Sequence, residues 1–312
     1  MDVFSLSYPH QLSDSAILPT VAAIGFFDGL HKGHQKVIKE AVDIAKSSNQ
    51  QVAVITFDPH PSVVLNKNNT DIQYLTPLDE KIQLISGYDV DRLYVVKFNT
   101  KLAQLTPSSF IDHFIHGLNI THLVAGFDFT FGYKGSGNMD NILQHTDKKL
   151  LTTKIGEITD HEEKVSSTRI RKALKDGDIE EAERLLSRDV SIKGEVIHGD
   201  KRGRTIGYPT ANIELHESYF LPKIGVYAVD VEIDGEKYYG MANLGYKPTF
   251  SDQRLEPKIE VHILDFNEDI YGQFITISWK KYIRSEKKFQ GIDELVGQLQ
   301  QDEKEIRNFF QL

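Results

Sequence analysis

Cysteine is absent from all 312 residues, which removes disulfides, thiolate nucleophiles and zinc–thiolate sites and fits a reducing compartment. Long apolar runs are missing too. No stretch approaches the ~20 residues that cross a bilayer, and the opening MDVFSLSYPHQL has no basic segment followed by an apolar one. A soluble cytoplasmic protein without a membrane partner is expected. Positive charge is in deficit, with 36 Lys and Arg against 45 Asp and Glu for a net charge of −9. Nucleic-acid binding needs a basic footprint, so nucleic acid is excluded as a partner, and any anion must be met by a local nest of amides, His, Lys and Arg. Hydrophobic residues at 40% and charged ones at 26% leave no sign of disorder. The length exceeds what one core usually holds, so two domains are expected.

The rest of the chain is organised around residues 25–34, GFFDGLHKGH. They follow the apolar run 21–24 and open a helical pattern at Val37, Ile38, Ala41, Ile44 and Ala45. A strand, a glycine turn and a helix start meet there, and the orphan N–H groups of a helix start favour a phosphate. His31 and His34, three apart, can lie beside that anion and donate to it. A plain turn with surface imidazoles would give the same letters.

QVAVITF at 51–57 reads as a buried strand that Asp58-Pro59-His60-Pro61 ends. Helical patterns at 78–85 and 110–118 alternate with apolar runs at 93–98 and 122–125. Such alternation predicts a parallel sheet covered on both faces, with ligands beyond the carboxyl ends of its strands. Loops 25–34, 58–61 and 126–137 all fall there. The third, within GFDFTFGYKGSGN, sets Asp128 among Phe127, Phe129 and Phe131; a flexible hairpin with its phenylalanines partly in the core accounts for it equally. In KVSSTRIRKAL, residues 164–174, Ser166, Ser167 and Thr168 can cap a helix. Arg169 and Arg171, two apart, point to different faces.

A short amphipathic helix at 178–187 precedes a change of period. Strands at 226–233 and 236–244 flank an Asp234-Gly235 turn, and further runs at 259–264 and 274–279 predict a small antiparallel barrel. A helix over 292–309 should cover it through Leu295, Val296, Leu299 and Ile306. In GEVIHGDKRGRTIGYPTANI, residues 194–213, Thr210 and Asn212 stand two apart on an extended segment, so both oxygens can face one ligand. Hard oxygens of that kind suit magnesium shared with phosphates, although a solvated basic loop has the same composition. In KIEVHILDF, residues 258–266, Glu260 alternates with Ile259, Val261 and Ile263, as it would on the wet side of any half-buried strand.

Resemblance chooses among these readings. GFFDGLHKGHQ, with its HxGH, resembles the signature of the nucleotidylyltransferase superfamily, and its fuller form is similar to the FMN adenylyltransferase half of bacterial bifunctional FAD synthetases. FDPHP at 57–61, GFDFTFGYKGSG at 126–137 and VSSTRIR at 165–171 match further motifs of that family. The resemblance implies catalysis by His31 and His34. It implies ATP binding by Gly25, Phe26, Asp28, Gly33, Ser166, Ser167, Thr168 and Arg171, and flavin binding by His60, Asp128 and Phe129.

The second half is similar to riboflavin kinases in GxxxGxxxGxPTAN, ExHxxDF, NxGxRPTF and IRxExKF. That likeness implies ATP and phosphate binding by Gly199, Lys201, Gly203, Thr205, Gly207, Pro209, Thr210 and Asn212, with magnesium on Thr210 and Asn212. Glu260 matches the catalytic carboxylate, and Arg284 and Glu286 match flavin contacts. Lys247 stands where relatives carry arginine and loses the planar fork, and Lys134 likewise replaces an arginine.

Taken over nearly the whole chain, the resemblance implies two domains. Residues 1–186 would form an α/β doubly wound, Rossmann-like nucleotidylyltransferase domain, and 187–312 a small antiparallel β-barrel riboflavin kinase domain with a C-terminal helix. ATP is then the co-substrate, magnesium the metal in both halves, and the partners are small molecules: riboflavin, FMN and FAD. A transferase for another phosphorylated acceptor, a flavin-binding regulator and a monofunctional kinase are the alternatives.

Overall fold

The computed structural model describes residues 1–10, 12, 17–65, 72–199, 202–248 and 255–312. The chain divides into two compact units, Met1–Ser167 and Thr168–Leu312.

The first unit is built on six strands, β1 (Asp2–Leu6), β2 (Thr20–Ile24), β3 (Gln51–Asp58), β4 (Arg92–Lys97), β5 (Ile120–Gly126) and β6 (Leu151–Ile155). They lie in the order β1-β4-β3-β2-β5-β6, and every pairing is parallel. Alternate residues bury on opposite faces. Val21, Ala23, Val52, Val54, Leu93 and Val95 pack with Val37, Ile38, Ala41 and Ala45 of helix α1 (Lys32–Ser48). Ala22, Ile24, Ala53, Ile55, Tyr94 and Leu123 pack on the other side with Phe110, Ile111 and Phe114. Burial on both faces is why these strands read as continuous apolar runs.

Helix α2 (Leu78–Ser86) follows the predicted pattern. The pattern at 110–118 takes a different form, a short helix Pro107–Phe110 running into a π-helical turn Ile111–His116, closed by Gly117 N–H donating to Asp112 O at 2.9 Å. The segment 126–138 forms the expected hairpin, with Thr130–Phe131 paired to Gly137–Asn138. Of its phenylalanines only Phe131 is in the core; Phe129 is half-buried and Phe127 exposed.

The second unit opens with helices α3 (Ser167–Asp176) and α4 (Ile179–Leu186), of which α4 packs on the barrel and ties to it through Glu183 and Lys280 at 3.1 Å. Its six strands are β7 (Val190–Ile197), β8 (Ala211–Glu214), β9 (Gly225–Ile233), β10 (Glu236–Pro248), β11 (Leu255–Ile263) and β12 (Phe274–Arg284). They close an antiparallel barrel in the order β7-β8-β11-β10-β9-β12. Trp279 and Tyr227, both fully buried and 4.9 Å apart edge to face, fill its middle. Helix α5 (Ile292–Phe310) is present, but of the four residues expected to cover the barrel only Ile306 is fully buried. Leu295 and Leu299 line a cavity instead.

Candidate active sites

In the first unit, the loops at 25–31, 58–61 and 126–138 leave the carboxyl ends of β2, β3 and β5, which are neighbours in the sheet. The ring of Phe26 meets His60 edge to face at 4.3 Å, joining the first loop to the second. His31 is buried and caps α1, its Nδ1 accepting from His34 N–H at 3.4 Å. In a neutral ring that leaves the proton on Nε2. The two imidazoles stack with centroids 3.6 Å apart and planes 16° from parallel. Gly33 gives the ring room, since a Cβ there would stand 3.2 Å from His31 and ask it to shift by a few tenths of an ångström.

Burial, then the neighbouring His31 and Lys81, hold His34 well below the ordinary histidine range, so its ring is neutral at pH 7. Unfolding releases it to a pKa of about 6.5, and stability present above that value is lost as pH falls toward the folded one, at no more than ~1.4 kcal/mol per pH unit. Acidification from pH 7.5 to 5.5 should therefore lower the unfolding temperature more in the wild type than in His34→Gln. His116 and His122 are also depressed by burial, so the comparison with the variant carries the result. Equal calorimetric slopes in the two proteins would show that His34 is not held neutral.

Asp28 is buried and accepts from Thr76 N–H at 3.1 Å, while its carbonyl accepts from the Ser167 hydroxyl at 2.8 Å. That bond ties the Ser167 hydroxyl to the first loop. Thr168 and Arg171 follow on α3, and the Arg171 guanidinium lies 5.6 Å over the ring of Phe220. Asp128 pairs with Lys164 at 3.1 Å, and Phe129 stacks at 5.9 Å on Phe131.

The barrel gathers its candidates around a cavity of about 340 Å³. Asn212, Glu260, Asn243, Val226 and Arg284 sit opposite one another on five successive strands, and all five line it. Thr210, Gly203, Lys258, Glu286, Met241, Phe289, Leu295 and Leu299 complete a mixed polar and apolar wall. Lys258 pairs with Glu260 at 2.7 Å, and His262 bonds the Pro209 carbonyl at 2.8 Å, fixing the chain just before Thr210. A side chain on Gly199 would overlap the Asn212 amide, and one on Gly203 would overlap the Tyr208 carbonyl, so the glycine loop approaches this wall as close as backbone can. Gly207 takes φ 85° in the turn before it. Thr205 and Pro209 lie on the same connection, while Lys201 falls outside the described residues, as do Thr249 and Phe250 of the NxGxRPTF-like segment.

Two features escape sequence reasoning. Asn243, the asparagine of the NxGxRPTF-like segment, stands directly across from Glu260 and donates to Glu286 at 3.4 Å; its strand parity with Glu260 was the available signal. Arg284 lines the cavity, but its fork is committed to the buried Asp302 of α5 at 2.6 to 2.9 Å. A second cavity of about 450 Å³, lined by Arg204, Pro209, Asp269 and Tyr271, shares Thr210 with the first. Among the described residues, the trio of His and acidic side chains close enough for a metal is Glu195, Glu214 and His216. It is partly to fully exposed, and His216 Nε2 lies 3.1 Å from Glu195 and 3.9 Å from Glu214, two glutamates that face each other across a strand pair.

Two family models match the chain: FAD synthetase over residues 14–169 and riboflavin kinase over 186–310. A bifunctional riboflavin kinase/FMN adenylyltransferase of Bacillus subtilis is 49% identical over 99% of this chain and 98% of its own. The corresponding protein of Listeria monocytogenes is 46% identical over the same shares. A solved structure described as a macrolide-efflux protein from Streptococcus pneumoniae superimposes with a TM-score of 0.88 at 36% identity, covering 99% of both chains.

Proposed function

The chain belongs to the bifunctional riboflavin kinase/FMN adenylyltransferase family, and we propose that His31 and His34 carry its adenylyl transfer and Glu260, Thr210 and Asn212 its phosphoryl transfer. The enzyme phosphorylates riboflavin with ATP to FMN, and adenylylates FMN with ATP to FAD and pyrophosphate. The reading assigns the second reaction to residues 1–186 and the first to 187–312. It rests above all on one observation, the single cross-strand row that sets Asn212 against Glu260 beside a glycine loop.

In the kinase half, the apolar residues Met241, Phe289, Leu295 and Leu299 make the 340 Å³ cavity suitable for the flavin ring, with Arg284 and Glu286 at its edge. The 450 Å³ cavity beside Arg204 takes the nucleotide, and Gly199, Gly203, Thr205, Gly207 and Pro209 shape its phosphate loop. Thr210, common to both cavities, marks where the γ-phosphoryl group passes. Glu260 accepts the proton of the ribityl hydroxyl as its oxygen bonds to phosphorus and ADP leaves. The donors here are a threonine hydroxyl, an asparagine amide oxygen and a carboxylate opposite it, a hard-oxygen set that fits magnesium. Bound at Thr210 and Asn212, the ion would supply charge neutralisation to the phosphates. Lys258 and the loop amides add to that neutralisation.

In the adenylyltransferase half, an FMN phosphate oxygen attacks the α-phosphorus of ATP and expels pyrophosphate, with no covalent enzyme intermediate. His31 and His34 donate to the oxygens on which charge builds. Gly25, Phe26, Asp28 and Gly33 shape the turn that admits the triphosphate, and Ser166 and Ser167, the latter bonded to the Asp28 carbonyl, lie beside its phosphates. His60, Asp128 and Phe129 receive the flavin. Magnesium would supply charge neutralisation to the phosphates in this half too. We assign the protein to the cytoplasm; among the described residues no helix is long and apolar enough to cross a membrane.

A chromatographic time course with riboflavin, ATP and magnesium tests the whole reading. FMN should rise before FAD. FMN without FAD, even when FMN is supplied, would show the first half to be silent, and no flavin product would return the chain to a different acceptor or to a binding role.

A further inference from the structure

Lys81 is only 2% exposed, on a helix that carries none of the residues assigned above. Burying an ammonium is expensive unless it is bonded and compensated. Its Nζ donates to the Phe26 carbonyl at 3.0 Å and lies 4.3 Å over the Phe26 ring. The same carbonyl accepts from the fully buried Thr56 hydroxyl at 3.0 Å. Two donors thus converge on one backbone oxygen inside the glycine turn.

That turn needs an anchor. Phe27 and Leu30, both with side chains and both buried, take φ of 57° and 42°. Left-handed backbone at such residues costs ~1 kcal/mol or more each and persists only where neighbours over-determine it. Immediately after it come His31, which caps α1, and His34, stacked on it. The groups facing Lys81 are Asp28 and Asp58, which favour its charge; those facing His34 are His31 and Lys81, which oppose its own.

We propose that Lys81 is a positioning residue of the adenylyl-transfer centre: its buried ammonium clamps the Phe26 carbonyl and so holds the strained turn that aims His31 and His34. This rests on the reading that those histidines carry the transfer. Desolvation lowers Lys81 to about 8, outweighing Asp28 and Asp58. The clamp therefore loses its charge as pH rises through the upper physiological range, whereas a guanidinium would not.

The test is FAD formation from supplied FMN in full-length Lys81→Met and Lys81→Arg, measured across pH. Lys81→Met should lower kcat by ~10- to 100-fold with KM for ATP changed less than ~3-fold, since the turn orients groups felt in the transition state. Lys81→Arg should recover most of that rate and lose the alkaline decline that the wild type shows around the lysine's titration. A Lys81→Met kcat within twofold of wild type, or a change in KM alone, overturns the proposal. If Lys81→Met does not fold, Lys81→Arg decides by itself, because a retained alkaline decline there also overturns it. His34→Ala, measured alongside, separates the two failures: activity kept in that variant defeats the histidine reading, while activity lost there and kept in Lys81→Met defeats only the clamp.

Discussion

His31→Ala is expected to stop FAD formation from FMN while riboflavin is still converted to FMN at the wild-type rate. Three roles vanish together: the Nε2 donor, the cap on α1 and the stacking partner of His34 at 3.6 Å. Removing one preorganised donor to a developing anion typically lowers kcat by ~10²- to 10³-fold. The lost cap contributes ~1 kcal/mol of stability, too little to unfold a unit whose sheet is packed on both faces. His31→Asn separates the contributions, because its amide oxygen can still accept from the helix N–H while the imidazole is gone. Catalysis by the ring requires the asparagine variant to be folded and nearly as slow as the alanine variant. Loss of FMN formation with FAD formation retained would reverse the assignment of the two halves.

Glu260→Ala should have the opposite selectivity, with riboflavin phosphorylation lost and adenylylation of supplied FMN spared. General-base catalysis is worth ~10²- to 10⁴-fold, and Glu260→Gln, which keeps the shape but cannot take a proton, should fall nearly as far. The structural penalty is small, because the partner Lys258 is partly exposed and such pairs contribute about 1 kcal/mol or less. Chromatographic separation of riboflavin, FMN and FAD reads both variants in one assay. Loss of both activities in a folded Glu260→Ala protein would refute independent sites.

What was legible in the sequence follows from where side chains are buried. Strands β2 to β5 stood out because both faces of a parallel sheet are covered, so Val, Ile, Ala and Leu run on without interruption. The two edge strands did not. DVFSL of β1 buries only Leu6 fully, and LTTKI of β6 only Ile155, so neither carries an apolar signature. His31, His34 and Glu260 were singled out through motifs, and the fold places the two histidines at a helix start and Glu260 on a strand. Lys81 was hidden in Leu78-Asp79-Glu80-Lys81, letters that describe a solvated helix face. Only the fold reveals that this lysine turns inward. Arg284 shows the converse: its motif offers it to a ligand, while the fold spends its planar fork on Asp302.

The cross-strand row of the barrel makes the kinase geometry a matter of parity. Asn212 and Glu260 share a side of the wall because they are direct partners on hydrogen-bonded strands, and residues opposite one another project to the same face. One residue inserted in Ala211–Glu214 would exchange Asn212 with the buried Ile213. A closed barrel offers no free edge along which the ladder could slide back. Variation in this enzyme's kinase half is thereby confined: connections such as the one between β8 and β9 can lengthen or shorten one residue at a time, whereas a single extra residue within a strand keeps the faces only where a register shift absorbs it, as at Lys280 and Ile283 of β12.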